Sequence, residues 1–393
     1  MPPPRPDIEF IIPLVVSRRK NDPAKSRGQI LTLKRSCTLS MPFVYRDQDP
    51  TEVTVVEIHT IPLFAEAYTA YGKHTFYREW IRHADQLVVI DADDVATSAL
   101  LQAVIPLLST PVIWTFAPAN NPQWLSGVLL PIDRIAIVSH AWLSYLGRQR
   151  PGQLCDFVSI PRYSPKSHPI SRHVYRHLFM AKEHLIDLEN LYRTMPALSH
   201  RLQSLEKMLV RELTRNRVPP GTGSRVYHAF RSTLTPYGPF VLNQGYTADG
   251  IRRTLIMGPP GSGIKQLLKR VGSHATYQGH QIILLHCGLD PIQIDHIYLP
   301  DLSWLISNNT APHCMSPMPQ DNVINLYHDL EKDLTYHPKI EKIYYLYTQA
   351  YQHAWDELWP ARIVPNGQVD SSTLGPWIDK VLTLGTLHPV LRI

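Results

Sequence analysis

The sequence has little cysteine, no long apolar run and no large excess of charge of either sign. Its four cysteines, Cys37, Cys155, Cys287 and Cys314, are scattered, which predicts reduced thiols in a cytosolic protein rather than a disulfide framework. Because no run reaches about 18 apolar residues, we expect no transmembrane helix and no membrane partner. The opening segment Met1–Arg5 lacks the charged and then apolar arrangement of a secretory signal, so a cytoplasmic location is predicted.

The balance of charge is mildly basic. The net charge is +6 at pH 7 and the sequence pI is near 9.0 for 393 residues. The lysines and arginines are spread along the chain, with clusters at Arg18–Lys20 and Arg211–Arg217. Neither cluster resembles a recognition helix or an RNA-binding motif, and short basic clusters are typical of solvated faces. We therefore do not expect a nucleic-acid partner.

The segment Leu255–Leu268 nearly matches a phosphate-binding loop. Leu255–Met257 predicts a buried strand, Gly258–Gly263 a tight glycine-rich turn and Ile264–Val271 a helix. In the spacing G-x-x-x-x-G-K-[ST], glycines let backbone N–H groups converge on phosphate, the lysine reaches the β- and γ-phosphates, and the hydroxyl binds Mg²⁺. The first and last glycines of the turn fit this spacing.

The segment departs from that spacing at its decisive positions. Ile264 stands where the lysine belongs, and Lys265 stands where serine or threonine belongs. One residue along a helix is a rotation of about 100° and a rise of about 1.5 Å, which is expected to move the Lys265 ammonium off the phosphate side. A register shifted by one residue needs glycines at the positions of Pro259 and Ile264, so it fails too. What remains is a nest of backbone amides at a helix N-terminus, which favours an anion.

An internal repeat relates the two halves of the chain. Phe64–Gly72 aligns with Phe230–Gly238, and Asn121–Pro131 aligns without gaps with Asp290–Pro300. A repeat of this length indicates tandem domains rather than a short-period solenoid. The length of the chain also suits two domains.

The repeat places a counterpart of the glycine-rich turn in the first half. Leu87–Ile90 is the equivalent strand, Ser98–Val104 is the equivalent helix, and the connection between them has no glycine. Its carboxylates Asp91, Asp93 and Asp94 predict repulsion of a nucleotide. A Mg²⁺ or Ca²⁺ site is one interpretation, since hard cations prefer clustered carboxylates. The favoured interpretation is a helix cap followed by acids in the first helical turn.

The second half resembles the tandem-repeat P-loop ATPase-like proteins of Firmicute bacteria, in which each half carries a P-loop domain. The likeness covers residues from about 225 to 355 and, through the repeat, more faintly those from about 55 to 192. Its motifs outside the loop include Leu234–Gly238, His286–Cys287, Asp290, Asp295, Leu299–Pro300, Thr310–His313 and the helical stretch Tyr344–His353. The resemblance implies binding of ATP with Mg²⁺.

The chain also departs from that family. Members typically keep G-K-[ST] in the loop and an acid at the end of the strand before Thr-Ala-Pro-His, where this chain has Asn308. The equivalent strand of the first half, Ile135–Ser139, has no acid either. The lysine, the hydroxyl and the acid carry charge neutralisation and metal binding in phosphoryl transfer. Their joint loss predicts a pseudo-NTPase.

These observations predict a nucleotide site at the carboxyl ends of the strands. Its candidate residues are Gly258, Pro259, Pro260, Gly261, Ser262, Gly263, Ile264, Lys265, Gln266, Asn308 and His313. The leading hypothesis is weak binding of ATP or another nucleoside triphosphate, possible involvement of Mg²⁺, impaired catalysis, and a regulatory or scaffolding role with an unknown protein partner. One alternative is a weakly active ATPase or phosphotransferase that uses Lys265. The other is a structural interaction module that binds no nucleotide.

Two adjacent His-Cys pairs raise a zinc hypothesis. They are His286–Cys287 and His313–Cys314, and neither has the C-x-x-C or H-x-x-x-H spacing that lets two side chains face one ion. The favoured interpretation is buried thiols with neighbouring histidines, so we assign no metal ligand. His313 is the better candidate for a polar role beside a nucleotide.

Strands that alternate with helical patterns predict an α/β fold of two tandem P-loop NTPase-like domains, each a parallel sheet flanked by helices, joined by a helical segment. The predicted parts are a degenerate N-terminal P-loop-like domain with an N-terminal extension at 1–165, a helical linker at 166–223, and a C-terminal P-loop NTPase-like domain with a helical tail at 224–393. Apolar spacing predicts linker helices at His173–Tyr192 and Leu198–Leu213. A tail helix is predicted at Leu374–Leu384.

Overall fold

A computed structural model of the chain describes residues 59–108, 110–145, 154–160, 169–193, 196–216, 225–310, 314–327, 338–362 and 374–386. The strands are β1 (His59–Phe64), β2 (Glu66–Thr69), β3 (Gly72–Thr75), β4 (Gln86–Asp91), β5 (Val112–Ala117), β6 (Gly127–Leu130), β7 (Ile135–Ser139), β8 (Leu154–Ser159), β9 (Val226–Phe230), β10 (Ser232–Thr235), β11 (Gly238–Val241), β12 (Arg252–Met257), β13 (Ile282–His286), β14 (Ile294–Leu299), β15 (Trp304–Asn308) and β16 (Asn322–Asn325). The helices are α1 (Tyr77–His83), α2 (Asp94–Val104), α3 (Arg172–Tyr192), α4 (Pro196–Arg215), α5 (Ile264–Tyr277), α6 (Pro338–Leu358) and α7 (Gly375–Thr386), with short 3-10 turns at Ile105–Leu107, His140–Tyr145, Pro300–Leu302 and Trp359–Ala361.

The architecture is α/β, with a large mixed, mostly parallel central sheet flanked by helices. Among the described residues, twelve strands form one continuous sheet in the order β16-β12-β15-β14-β13-β9-β1-β5-β6-β7-β4-β8. The strand pairs β2–β3 and β10–β11 form two separate hairpins. At the centre of the sheet, β1 and β9 run antiparallel and pair at Phe64 and Phe230. Both halves of the chain therefore contribute to the same sheet.

The sheet departs from the predicted parallel pattern at one strand in each half. β14 is antiparallel to β13 and β15, and β6 is antiparallel to β5 and β7. Only Cys287–Gln293 connects β13 to β14, whereas a parallel crossover needs a connection of about a dozen residues or more. The expectation of parallel strands is wrong at these positions because their connections are too short.

Equivalent elements occur at equivalent places in the two halves of the sheet. β4 leads into α2 and lies between its parallel neighbours β7 and β8, while β12 leads into α5 and lies between its parallel neighbours β15 and β16. α7 packs on α2, and α4 packs on α5. The glycine-rich turn of the second half can therefore be compared directly with the acidic turn of the first.

The predicted linker and tail helices are confirmed as α3, α4 and α7. α3 packs along α6 and against hairpin strand β2, and α4 lies on α5. Leu205 and Leu209 of α4 share a buried cluster with Leu267 and Val271 of α5. No helix in the part of the chain described by the structure is long and apolar enough to cross a membrane.

The predicted site residue His313 lies outside the described residues.

Candidate functional site

The glycine-rich turn connects the end of β12 to the start of α5, as the sequence predicts. The Ser262 N–H donates to the Pro259 carbonyl over 3.1 Å and closes the turn. Gly261 and Gly263 have φ angles of 83° and 89°, in the left-handed region that glycine adopts without steric cost. Gly263 is the N-cap of α5 and offers no side-chain hydrogen bond. The N-cap residue therefore supplies no side-chain cap to the first N–H groups of α5, which are the groups that attract anions at helix starts.

A small cavity lies between this turn and the helices α3 and α6. Its volume is about 40 Å³, and the predicted site residues Pro259–Gln266 and Asn308 line it together with groups from α3 and α6. A water molecule occupies about 30 Å³ of liquid, and ligand pockets usually begin near about 300 Å³. The cavity therefore has room for very little besides water in this conformation.

Lys265 points into this cavity. Its Nζ lies 3.7 Å from Glu189 Oε1 and 3.8 Å from Asp295 Oδ1. Burial opposes the charged ammonium, but Cys287, Asp295 and Glu189 more than offset that effect and hold the pKa of Lys265 above its ordinary value. The long side chain of Lys265 thus reaches back to line the same cavity as the turn, where two acids of the chain lie beside its ammonium.

Asn308 lies next to the turn, as predicted for a residue at the end of a neighbouring strand. In the register of β12 and β15, Asn308 lies beside Ile256. The Thr310 hydroxyl is 2.8 Å from the Gly258 carbonyl oxygen and 2.6 Å from Asn308 Oδ1. Thr310 therefore links Asn308 to the first residue of the turn.

The last turns of α3 lie directly on the glycine-rich turn. A Cβ atom added to Gly261 would lie 2.1 Å from the Cα of Glu189. A Cβ atom added to Gly263 would lie 2.8 Å from Leu202 Cδ1 of α4. Both helices of the predicted linker therefore cover the turn, a role that sequence analysis did not assign to them.

Glu189, Cys287 and Asp295 line the cavity but were not among the predicted site residues, although Cys287 and Asp295 belong to the motifs of the family likeness. Asp295 gave the clearest signal in the sequence, because it interrupts an apolar strand, and in the structure its side chain is 2% exposed. A buried carboxylate needs a partner, and Lys265 is the cation that meets it. Glu189 gave no comparable signal, since acids on amphipathic helices are usually solvated.

A second and more open cavity adjoins the same turn. Its volume is about 490 Å³, and Gly261–Gly263 and Gln266 line it as they line the smaller one. Tyr192, Arg193 and Arg270 contribute to its other walls. Its size falls in the range of about 300 to 1,000 Å³ that is usual for ligand pockets.

The acidic turn of the first half is closed by its own side chains. β4 ends at Asp91, and α2 begins at Asp94 rather than at the predicted Ser98. Asp93 is the N-cap and accepts a hydrogen bond from the Ala96 N–H over 2.9 Å. Burial raises the pKa of Asp94. The cap interpretation is confirmed, and the predicted helix start is wrong because the Asp93 cap adds a turn before Ser98.

His286 and Cys287, two residues of the zinc hypothesis, have other neighbours in the structure. His286 Nδ1 is 2.6 Å from the Pro291 carbonyl oxygen, and its Nε2 is 2.8 Å from His228 Nδ1. Cys287 is a free thiol that lines the small cavity, and burial raises its pKa to about 12. Among the residues that the structure describes, no three histidine, cysteine or acidic side chains form a group that could hold a metal ion.

Comparison of the chain with protein-family models, with curated proteins and with solved structures finds no match. The likeness to P-loop ATPase-like proteins therefore stays a prediction. Any function has to be inferred from the turn and from the groups that surround it.

Proposed function

We propose that this chain is a nucleotide-binding, P-loop ATPase-like protein of impaired catalytic power, built from two tandem P-loop-like domains, with a regulatory or scaffolding role. The observation that carries the proposal is the glycine-rich turn between β12 and the uncapped start of α5, with Gly261 and Gly263 in the left-handed conformation. Turns of this form present backbone N–H groups to phosphate. The proposed ligand is ATP or another nucleoside triphosphate, with Mg²⁺ as its counter-ion.

Impaired catalysis follows from the charges around the turn. Ile264, at the position of the expected lysine, is apolar and 2% exposed. The Lys265 ammonium is shared between Glu189 and Asp295. Asn308 is neutral, so it supplies no charge to orient a metal ion. Phosphoryl transfer depends on positive charge and a bound metal at the phosphates, and we expect both to be weak here.

A second candidate function is residual ATPase or phosphotransferase activity that uses Lys265. It is favoured by the position of Lys265 and Asp295, which line the same cavity as the turn. A lysine and an acid are therefore present beside the turn, although not at the usual positions.

A third candidate function is a structural module that binds no nucleotide. It is favoured by the small volume, about 40 Å³, of the cavity that Lys265 lines.

Calorimetric titration of the full-length chain with ATP, with and without Mg²⁺, tests the proposal. We expect weak binding that is lost in Gly261→Glu, because the new carboxylate repels phosphate from the turn. Gly250→Glu is the matched control, since Gly250 also has a positive φ of 85° but has open space around it. Thermal unfolding of both variants verifies that they fold. Absence of binding by the wild-type chain up to millimolar ATP contradicts the proposal and favours the structural module.

Turnover distinguishes the two nucleotide hypotheses. The proposal predicts no Mg²⁺-dependent ATP hydrolysis above background. Turnover that disappears in Lys265→Ala would instead support the enzyme. Turnover that Lys265→Ala leaves unchanged would come from a contaminant, because the only lysine beside the turn among the described residues is then gone.

A further inference from the structure

The contact between α3 and the glycine-rich turn has a chemical side as well as a steric one. Glu189 reaches the turn with its backbone, which lies against Gly261. It also reaches the turn with its carboxylate, which lies 3.7 Å from the Lys265 ammonium. An anionic group of the chain itself thus lies beside the cation and the turn at which we propose that phosphate binds.

The two carboxylates beside Lys265 differ in how they are held. Asp295 belongs to β14, a central strand of the sheet, and is 2% exposed. Glu189 belongs to the last turn of α3, which ends at Tyr192. The end of a helix is released at lower cost than a central strand, because fewer backbone hydrogen bonds and packing contacts are lost. Glu189 is therefore the carboxylate that can leave.

A triphosphate does not fit beside the Lys265 ammonium while α3 stays in place. The cavity between them measures about 40 Å³, whereas the adjoining one measures about 490 Å³. Gly261–Gly263 and Gln266 line both, and Glu189 and Tyr192 of α3 line one each. Movement of the end of α3 away from Gly261 would join the two cavities into one space. That space would include the turn, Lys265 and the larger cavity beside Arg193.

We propose that Glu189 is an internal competitor for the anion position of the turn, so that a nucleotide phosphate binds only when the end of α3 lifts and takes Glu189 away. This inference rests on the proposed function, since it assigns a mode of regulation to the same site. It identifies the chemical event that opens the site as the exchange of a carboxylate for a phosphate beside Lys265. A partner that holds the end of α3 away from the turn would raise nucleotide affinity.

The test compares ATP affinity in two variants of α3 that lose the same charge. Glu189→Gln keeps the size of the side chain and removes its charge from Lys265. Glu183→Gln is the control, because Glu183 lies on the same helix, is half exposed and pairs with Lys182 rather than Lys265. We expect Glu189→Gln to bind ATP at least about tenfold more tightly than the wild-type chain, since the competing charge is gone. Glu183→Gln is expected to match the wild type.

The outcomes separate this inference from the function on which it rests. Equal ATP affinity of the wild-type chain and Glu189→Gln overturns the proposal that Glu189 competes with phosphate, and leaves the proposal of nucleotide binding intact. Absence of binding in both overturns the two proposals together.

A second measurement uses the wild-type chain, in case the variant fails to fold. ATP at saturating concentration is expected to increase amide hydrogen exchange at the end of α3, residues 186–192, because bound phosphate displaces the last helical turn of α3. Bound ATP together with unchanged or slower exchange at these amides contradicts the inference.

Discussion

The two halves of the sheet carry turns at equivalent positions that are stabilised in opposite ways. In the first half, the turn after β4 uses its own acids, and Asp93 caps the Ala96 N–H. In the second half, the turn after β12 has no capping side chain and is covered by α3, whose Glu189 lies on Gly261. The first turn caps the N–H groups of its helix with its own side chain, whereas the second turn is covered by α3, which is distant in the sequence.

This difference bears on which turn can accept a ligand. A helix start that is already capped by a carboxylate gains little from an external anion and repels it. A helix start without a cap retains its N–H groups for whatever approaches. Of the two turns, the second is therefore the one at which we propose an anion site.

The largest effect is expected from a methyl group added to the second turn. Gly261→Ala places a Cβ 2.1 Å from the Glu189 Cα, at a φ that other residues rarely adopt. We expect a loss of about 3 kcal/mol or more in the free energy of unfolding, measured with urea. Gly250→Ala has a similar φ and open space, so a loss of about 1 kcal/mol is expected there. Equal losses would contradict the close contact between α3 and the turn.

The next effect is expected from removal of Lys265, the cation beside the second turn. Lys265→Met leaves Asp295 buried without its ion-pair partner, and we expect a loss of about 3 kcal/mol. Lys265→Met combined with Asp295→Asn should recover part of that loss, because both charges are removed. Chemical denaturation of the two single variants and the double variant measures the coupling. Simple additivity of the two single losses would show that the two side chains do not interact.

Acidification tests the stability of the region where the two halves of the sheet meet, since His286 contacts His228 of β9. Burial, with His228 and His74, lowers the pKa of His286 from 6.5 to about 4. Between pH 6.5 and about 4, His286 therefore binds a proton in the unfolded chain but not in the folded chain. Its contribution to the free energy of unfolding is present above pH 6.5 and is lost as the pH falls below that value. One such group costs about 1.4 kcal/mol per pH unit. We expect His286 to contribute a loss of about 2 kcal/mol by about pH 5.

Replacement of the histidine verifies the origin of that pH dependence. His286→Gln should make the free energy of unfolding less dependent on pH between 7 and 5. His200→Gln, at an exposed position of α4, should leave the pH dependence as it is. An unchanged slope in His286→Gln would place the acid sensitivity elsewhere.

The smallest effect is expected in the first turn. Asp93→Ala removes the cap of α2 and should lower the free energy of unfolding by about 1 kcal/mol. Asp133→Ala removes the same charge from an exposed position and should change it little. Thermal or urea unfolding of both variants is sufficient. A similar small change in both would mean that the Asp93 cap contributes no stability.

Local patterns in the sequence predicted the elements that build the candidate site. Apolar runs and helical spacing gave β12, α5 and the two linker helices, and the parallel placement of β12 and β15 brought Asn308 to the turn as expected. These features follow from a few neighbouring residues. Their physical causes, burial of an apolar face and the chemistry of glycine, act over short distances along the chain.

The features that were missed depend on tertiary contacts. No local pattern shows that Glu189 lies on Gly261, because the two residues are far apart in the sequence and meet only through packing of α3. The Lys265 prediction used the rotation of an ideal helix and left out the reach of a four-carbon side chain toward Asp295. The strand direction of β14 depends on the length of a loop rather than on its apolar pattern.

Hydrogen exchange at the two turns tests the central claim most directly. The full-length chain is measured with and without ATP and Mg²⁺, and the amides of residues 258–266 are compared with those of residues 91–97. We expect slower exchange in the second turn on addition of nucleotide and no change in the first. Slower exchange in the first turn, or no change in either, would contradict it.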